Sequence, residues 1–452
     1  MKSASFSKRT PLDRARRKAY GRLLPILFVC YLIAYVDRTN VSIAKFAMIQ
    51  ELVGFNNAVI GFGAGVFFIG YFLLEIPGTL IVEKWSARKW IFRIMITWGI
   101  MAALTALVKT PMQFYLVRFL LGLAEAGFFP GVIIYLTHWF PVRDRAKALA
   151  YFFIASPIAQ MVSPKISNLL LKIGTDEVVN GVVVQHPKLW GMVGWQWMYI
   201  AWGAPAVLLA FVVLGMLTDR PSEAKWLTME EREALERELA AEKALHHGKR
   251  RGLTLLQGLK DPRVMLLAGA QFCLVTANYG VEFFLPSILE QWYSLKMDSL
   301  TWLIVLPPLG AVLGQFFVAR HSDRTNERIY HAIIPLSFAM IMLLLTPLTR
   351  GHLSLTILCF MLAFVGLRAG GPAFWSLPNL FLAETAAAGG IGLINSLGGL
   401  GGFLGPTLVG YLKESTGSYV AGLCWLAVIS GVAALLIFFI GMEMKKENRS
   451  TA

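Results

Sequence analysis

The sequence predicts an all-α membrane protein with twelve transmembrane helices, arranged as two pseudo-symmetric halves of six helices. Three observations support this fold class. The 452 residues are 56% hydrophobic and only 15% charged, whereas a soluble globular protein carries nearer a quarter charged residues. Long apolar runs, each close to the roughly 20 residues that a spanning helix needs, follow one another along the chain. Basic residues are concentrated in alternate loops.

The apolar runs place the spans in order. The first six are predicted at 22–46, 57–82, 90–109, 112–138, 147–171 and 196–217, and the last six at 264–289, 299–319, 330–349, 353–376, 386–411 and 418–441. The predicted domains are an N-terminal tail at 1–21, a six-helix bundle at 22–217, a linker at 218–263, a second bundle at 264–441 and a tail at 442–452.

Two local patterns add to this organisation. The basic turn at 86–89 after the second span has a counterpart at 322–328 after the eighth, and duplicated halves around a central pathway are typical of transporters. In the linker, Thr228 precedes Glu231 by three residues. That spacing predicts a capping box, followed by a charged helix to about Leu245.

The positive charge indicates orientation in a membrane rather than nucleic-acid binding. Most of the 42 Lys and Arg residues, which give a net charge of +15, lie in the tails, the linker and the loops near 88, 145 and 324. By the positive-inside rule, both termini and the linker are cytoplasmic. We therefore expect a monomeric, multi-pass protein of the cell inner membrane, with the lipid bilayer and no nucleic acid as partner.

The sequence predicts no cofactor, metal site or enzymatic centre. The four cysteines lie inside apolar runs without metal-ligand spacing. Neither a His-Glu-x-x-His nor a Gly-x-Ser-x-Gly motif is present. The first 20 residues are basic rather than apolar, so no cleavable signal peptide is expected.

Charged residues within the spans are the candidate functional groups, because each costs roughly 2.5–3.5 kcal/mol at a helix centre on insertion scales. Those that we single out are Asp37, Arg38, Glu75, Arg118, Glu125, Lys165, Glu282 and Arg368. Arg118 and Glu125 are seven residues apart, about 10 Å along a helix, so each needs a partner from elsewhere. Asp37 and Arg38 supply one of each sign. Such a cavity can bind an anion and hold a proton; a static set of salt bridges is the alternative.

Several motifs resemble the anion:cation symporter family of the major facilitator superfamily. They are Tyr35-Val36-Asp37-Arg38-Thr39-Asn40, the stretch from Arg118 to Gly131, Trp139-Phe140-Pro141 followed by Arg145-Ala146, the Asp219 to Glu231 stretch and Ser322-Asp323-Arg324. The resemblance runs from about residue 20 to about residue 440 and implies the major facilitator fold. Members import organic anions such as tartrate, sugar acids and aromatic carboxylates.

The resemblance also implies residue roles. Arg38 would bind the substrate carboxylate, and Asp37 and Glu125 would titrate, with Arg118 pairing with these carboxylates. Tyr35 and Tyr71 would line the cavity. Trp375 and Asn395 would contact the polar body of the substrate. One departure concerns span 5, where sugar-acid carriers can have a glutamine at the position that aligns with Ser156.

Arg368 suggests a second anion contact. It precedes Trp375 by seven residues, which places both on one face of a continuous helix. A second arginine across the cavity from Arg38 suits the other end of a dicarboxylate. Alternatively, Arg368 faces the cytosol or pairs with a carboxylate such as Glu282.

The charged residues in the spans, together with what the resemblance implies, predict a proton-coupled importer of a small organic anion, such as tartrate or a hexonate or hexuronate, working by alternating access. An aromatic carboxylate:proton symporter is the alternative within the same class. A membrane sensor without transport would need a sizeable signalling domain, and the sequence contains none.

Overall fold

The computed structural model describes residues 10–179, 182–184, 186–246, 257, 260–380 and 384–450. Within these residues, twelve helical segments are long and apolar enough to cross a membrane, so the predicted fold class is confirmed. The other parts of the predicted tails and linker lie outside the described residues. We number the spans 1 to 12 in chain order.

The helices follow the predicted apolar runs closely. Spans 1 to 6 consist of helices Pro11–Glu51, Asn57–Lys84, Ala87–Leu104, Pro111–Glu125 with Phe128–Trp139, Val142–Phe153 with Ala155–Leu171, and Gly194–Met216. Spans 7 to 12 consist of helices Pro262–Tyr293, Met297–Leu303 with Leu306–Thr325, Ile329–Leu345, Leu353–Ala369 with Gly371–Ser376, Glu384–Gly399 with Gly401–Thr416, and Val420–Ser450.

The spans form two six-helix halves. Span 3 packs on span 6 and span 2 on span 4 in the first half, as span 9 packs on span 12 and span 8 on span 10 in the second. Local capping signals set the helix starts: Asn56 caps span 2, a Thr110–Gln113 capping box opens span 4, and Asp261 caps span 7. We call the side where span 1 begins the terminal face, and the other side the opposite face.

The two halves are joined chiefly at the opposite face. Span 2 packs against span 11, where a Cβ added to Gly61 would overlap the carbonyl of Pro406, so glycine lets the two backbones approach closely. Nearby, Asn57 donates to Glu414 Oε1 at 2.9 Å from both its backbone and its side-chain nitrogen. On the other flank Asp298 of span 8 accepts a hydrogen bond from Asn168 of span 5. The central space is therefore closed toward this face.

The linker is anchored to the first half. Thr228 and Glu231 form the predicted capping box, with bonds of 3.0 and 3.3 Å, and open the helix Met229–His246. Lys18 of span 1 donates to Glu231 at 2.7 Å, and Arg145 of span 5 donates to Glu242 at 2.6 Å. The linker helix therefore packs against spans 1 and 5. The loop after span 5 contains two short antiparallel strands, Glu177–Val179 and Val182–Val184, which the all-α prediction did not include.

Candidate anion-binding site

A buried ion pair lies at the centre of the first half. Arg38 in span 1 contacts Glu125 in span 4, with Nη2 and Nε at 2.5 and 2.6 Å from Oε1. The Glu125 side chain is fully buried and that of Arg38 is 14% exposed. The predicted partnership between the charged residues of spans 1 and 4 is confirmed for this pair. Charge-assisted bonds of this kind are among the strongest in proteins.

The second pair expected in this half does not form. Asp37 is fully buried and accepts a hydrogen bond from Trp98 Nε1 at 2.9 Å. Arg118 donates to the Gly63 carbonyl at 3.4 Å and lies 5.1 Å from the centre of the Phe67 ring. The indole and the backbone carbonyl are thus the direct partners of two groups that were predicted to pair with each other. Asp37 Oδ1 and Arg118 Nη1 are left buried without a hydrogen-bond partner.

Aromatic rings flank the exposed side of Arg38. Its guanidinium carbon lies 5.1 Å from the centre of the Tyr71 ring and 5.9 Å from that of Phe67. The structure therefore places Tyr71 beside Arg38, and its role in lining the cavity stays a prediction. At these distances the rings attract the guanidinium by cation–π interactions, and the side chain of Arg38 stays 14% exposed.

The second half contains its own ion pair, formed by Arg368 and Glu282. Arg368 Nη2 lies 2.7 Å from Glu282 Oε2, and Arg368 Nε donates to Asn278 Oδ1 at 3.2 Å. Their side chains are 24% and 13% exposed. Of the two alternatives for Arg368, the structure shows the pairing with Glu282, and the arginine lies inside the bundle rather than in the cytosol.

The two pairs occupy equivalent places in the halves with the charges exchanged. Spans 1 and 7 are the first of each half, and spans 4 and 10 are the fourth. Span 1 carries the cation Arg38 and span 7 the anion Glu282, while span 4 carries the anion Glu125 and span 10 the cation Arg368. Helix breaks follow Glu125 and Arg368, at Gly127 and Gly370. Interrupted helices near the bilayer centre are common at transporter binding sites.

Each break has a local cause. Gly127 has a φ of 81°, in the left-handed region that favours glycine, and Pro130 follows three residues later. In span 10, the second helical segment begins at Gly371, directly after Gly370, and Pro372 is its second residue. Trp375 lies beyond this break, so its seven-residue spacing from Arg368 no longer places both on the face of one continuous helix.

Tyr35 connects the two halves. Its hydroxyl donates to Glu282 Oε1 at 3.1 Å and accepts from Gln160 Nε2 at 2.7 Å. The span-5 glutamine of this region is therefore Gln160, one helical turn after Ser156, whose hydroxyl instead donates to the Phe153 carbonyl. Gln160 was not among the predicted site residues, because an uncharged amide gives no signal in an amphipathic span.

A polar cavity adjoins the second ion pair. Thr39, Asn40, Gln160, Ser163 and Glu282 contribute its polar lining, and Phe364 and Pro308 contribute part of its apolar wall. Both amide atoms of Asn40 and Oε1 of Gln160 are buried without a protein partner. Buried polar atoms normally have a hydrogen-bond partner, so this cavity offers donors and acceptors that a polar ligand or water can use.

The remaining two candidates lie nearer the terminal face. Asn395 of span 11 donates to Glu75 Oε1 of span 2 at 2.9 Å, so it bridges the halves. Trp375 packs on the apolar core of the second half, with its ring 5.3 Å from that of Phe374. Neither side chain has a described contact with Arg38 or Arg368.

Lys45 is a buried cation that sequence reasoning did not single out, although it lies at the end of the first predicted span. Its Nζ donates to the Phe283 carbonyl of span 7 at 3.0 Å and lies 4.2 Å from the centre of the Phe284 ring. Pro286 follows in span 7 and disrupts the regular helical hydrogen bonding there. Lys45 therefore links span 1 to span 7 between the cavity and the closed opposite face.

Comparisons with known proteins agree with this architecture. The sequence profile of the Major Facilitator Superfamily matches residues 27–406. An Agrobacterium vitis protein named "Putative tartrate transporter" is 40% identical over 438 residues, 96% of this chain and 92% of that protein. A "Quinolone resistance transporter" of Acinetobacter baumannii is 37% identical, covering 95% of each chain.

A solved structure has the same fold. The crystal structure of a bacterial homolog of the human lysosomal transporter Spinster, in an inward-facing and occupied conformation, aligns with a TM-score of 0.70. It is 17% identical in sequence, and the alignment covers 94% of this chain and 97% of that one.

Proposed function

The chain belongs to the major facilitator superfamily of membrane transporters, and from that premise we propose that it imports a small organic anion together with protons. Tartrate or a sugar acid, a hexonate or hexuronate, is the proposed substrate. The observation that carries this proposal is the pair of buried arginines, Arg38 and Arg368, on opposite halves of the bundle. The identity to a relative named for tartrate supports the same substrate class.

Arg38 is the proposed primary carboxylate contact. A guanidinium presents parallel N–H groups that match a carboxylate, so a substrate can replace Glu125 at Arg38 with little change in geometry. Arg368 would hold the second carboxylate of a dicarboxylate. Tyr35 and Tyr71 lie beside the two arginines, and we assign them to lining this space.

The hydroxyl groups of the substrate would be bound by uncharged polar side chains. Asn40 and Gln160, with their unpartnered amide atoms, suit this role. Trp375 and Asn395 are the proposed contacts from the second half. Because Asn395 is bonded to Glu75, substrate contact there would require that bond to exchange.

Proton coupling is assigned to Glu125 and Asp37. When substrate takes over Arg38, an ionised Glu125 would be left buried beside another anion, which is costly in a low-dielectric cavity. A proton on Glu125 removes that repulsion. Glu125 is also the last residue of its helical segment, where the helix dipole does not favour a carboxylate. Arg118 would influence Asp37 and Glu125 electrostatically, without a direct ion pair.

We propose that the terminal face is cytoplasmic, as the positive-inside rule predicts, and that the protein is a monomer of the inner membrane. The conformation with a closed opposite face would then be inward-facing. Alternating access would break the contacts of spans 1 and 7, 2 and 11, and 5 and 8 at the opposite face, including the bond of Lys45 to Phe283.

Transport of an aromatic anion is a second candidate. The relative named for quinolone resistance supports an aromatic substrate. The rings of Tyr71 and Phe67 around Arg38 could also stack on such a compound.

Uptake by purified protein in liposomes tests both candidates. Labelled tartrate, gluconate, glucuronate and benzoate are offered with an inward proton gradient, with and without a protonophore. We expect accumulation of tartrate or a sugar acid that the protonophore abolishes. Accumulation of benzoate alone would favour the aromatic candidate, and accumulation that ignores the gradient would reject proton coupling.

A further inference from the structure

We infer that Glu282 is a proton-accepting residue of the second half, released from Arg368 when a dicarboxylate binds there. The inference rests on the proposed function and extends it: the protein would bind one additional proton for the second carboxylate of its substrate. Neither the resemblance nor the mechanism above assigns a role to Glu282.

The first argument is competition for one guanidinium. Glu282 Oε2 lies 2.7 Å from Arg368 Nη2, and Asn278 Oδ1 accepts the Nε proton. Glu282 and Asn278 therefore already occupy two of the three nitrogens of the Arg368 guanidinium. A substrate carboxylate can reach Arg368 only beside Glu282 or in its place. Two carboxylates about 4 Å apart repel by roughly 4 kcal/mol at an effective dielectric constant near 20, so replacement with protonation is the favoured course.

The surroundings of Glu282 permit this exchange. Among the described residues, the groups that act on its charge are Arg368 from span 10, Tyr35 from span 1 and Tyr279 from its own helix. Spans 11 and 12 also pack on span 7, and none of their described side chains is a charged partner of Glu282. Glu282 would thus lose its one cation on displacement, while the Tyr35 hydroxyl stays within hydrogen-bonding distance at 3.1 Å.

Charge balance also indicates that Glu282 takes up a proton when a dicarboxylate binds. The Arg38–Glu125 and Arg368–Glu282 pairs are each neutral before substrate binds. A monocarboxylate that replaces Glu125 needs one proton to restore neutrality, and a dicarboxylate that also replaces Glu282 needs two. The position of Glu282, equivalent to that of Arg38 in the other half, lets each pair perform the same exchange.

The proton path is simple. A proton from the outer aqueous phase binds a Glu282 carboxylate oxygen as the substrate carboxylate takes over Arg368. After the substrate leaves on the other side, the proton passes to water there, and the Glu282 carboxylate returns to Arg368. Each cycle thus moves that proton with the substrate and leaves the protein unchanged.

Proton uptake on binding tests the inference directly. Calorimetric titration of the purified full-length protein, in two buffers of different ionisation enthalpy, measures the protons bound with each ligand. We expect tartrate to bring about one proton more than gluconate in the wild type. Glu282→Gln should abolish that difference for tartrate and leave gluconate unchanged. Glu290→Gln, which removes an exposed acid from the same helix as Glu282, is the matched control and should keep the difference.

The outcomes separate this inference from the proposed function. If the wild type binds tartrate with protons but shows no excess over gluconate, Glu282 is not an exchanging acid, whether or not the variant folds. An excess that persists in Glu282→Gln has the same meaning. If the wild type binds neither ligand, or binds both without protons, the proposed function fails and the inference fails with it.

Discussion

In the first half the arginine of the buried pair comes from span 1 and the carboxylate from span 4, whereas in the second half the carboxylate comes from span 7 and the arginine from span 10. The geometry is otherwise similar, with closest N–O distances of 2.5 and 2.7 Å. An ion pair at equivalent positions of a repeat can therefore be preserved while its sign on each helix is reversed. Equivalent position, rather than residue type, relates the two halves.

The surroundings of the two pairs differ more than the pairs do. Glu125 is fully buried, with Asp37 and Arg118 close enough to influence its charge. Glu282 is 13% exposed and accepts a hydrogen bond from the Tyr35 hydroxyl, while its partner Arg368 donates to the Asn278 amide oxygen. The first half therefore concentrates charge, and the second half offers hydrogen bonds. We expect the first pair to determine whether any anion binds, and the second to determine which anion.

Loss of Arg38 is the most severe test of this contrast. Arg38→Ala removes the primary carboxylate contact and leaves Glu125 buried without its cation. We expect binding of tartrate and gluconate alike to weaken at least about 100-fold, measured by calorimetric titration of purified protein. Arg38→Lys keeps the charge but not the paired N–H groups and should bind weakly. Wild-type affinity in a folded Arg38→Ala protein would remove Arg38 from the site.

Neutralising Glu125 separates coupling from binding. Glu125→Gln permanently resembles the protonated acid, so the carrier should still bind substrate and exchange labelled for unlabelled tartrate. It should lose accumulation driven by a pH gradient, because it has no proton to release at that position. Counterflow and proton-driven uptake in the same liposomes measure the two properties, with Asp37→Asn tested in parallel.

A structural role for Glu125 predicts a different pattern. If the carboxylate only holds spans 1 and 4 together, binding, exchange and thermal stability should all fall together. Should Glu125→Gln concentrate substrate in a pH gradient as well as the wild type does, the proposed proton pathway is wrong.

The sequence was sufficient to predict the twelve spans and the Arg38–Glu125 ion pair. Apolar runs of membrane length define helices almost independently of their neighbours, so all twelve were predicted. Arg38 and Glu125 were predicted to be partners because an isolated charge in a span must find one. Asp37 instead accepts a hydrogen bond from the neutral indole of Trp98, and counting charges along the sequence does not detect such a donor.

Features that depend on packing between spans were not predictable. The break at Gly370 separates Arg368 from Trp375, and seven-residue spacing is informative only in a continuous helix. Gln160 faces Tyr35 because of how span 5 lies against span 1, which the pattern of span 5 does not specify. Lys45 lies near a span end, where a lysine normally extends to water, and only the tertiary structure buries it against span 7.

Arg368→Gln should have a moderate effect on substrate affinity and tests whether the second ion pair determines which anion binds. It removes the proposed contact for the second carboxylate but leaves Arg38 in place. We expect affinity for tartrate to fall roughly 10- to 100-fold, the range for losing one charge-assisted hydrogen-bonded contact, while affinity for gluconate changes little. Arg350→Gln, at an exposed loop position, is the matched control. Equal losses for both ligands would assign Arg368 to structure alone.

The smallest effect is expected for a substitution in the linker, which packs against the first half outside the membrane. Glu231 is 2% exposed and contacts Lys18 and Arg14 of span 1. Burial raises the pKa of its carboxyl, but the bonds from Lys18 and the Thr228 backbone outweigh burial and lower the pKa overall. Glu231→Gln should lower the melting temperature at pH 7 by only about 1–2 °C, with no change in tartrate affinity.

The sign of the pH dependence follows from that lowered pKa. A carboxylate with a lowered pKa in the folded protein stabilises it fully above its ordinary pKa of about 4.3, and this contribution is lost as pH falls through the folded value. The melting-temperature gap between wild type and Glu231→Gln should therefore be constant from pH 7 to about 5 and close below that. A gap that persists in acid would mean that the charge of Glu231 is not what anchors the linker. A change in tartrate affinity would mean that the linker acts on the binding site, in addition to stabilising the first half.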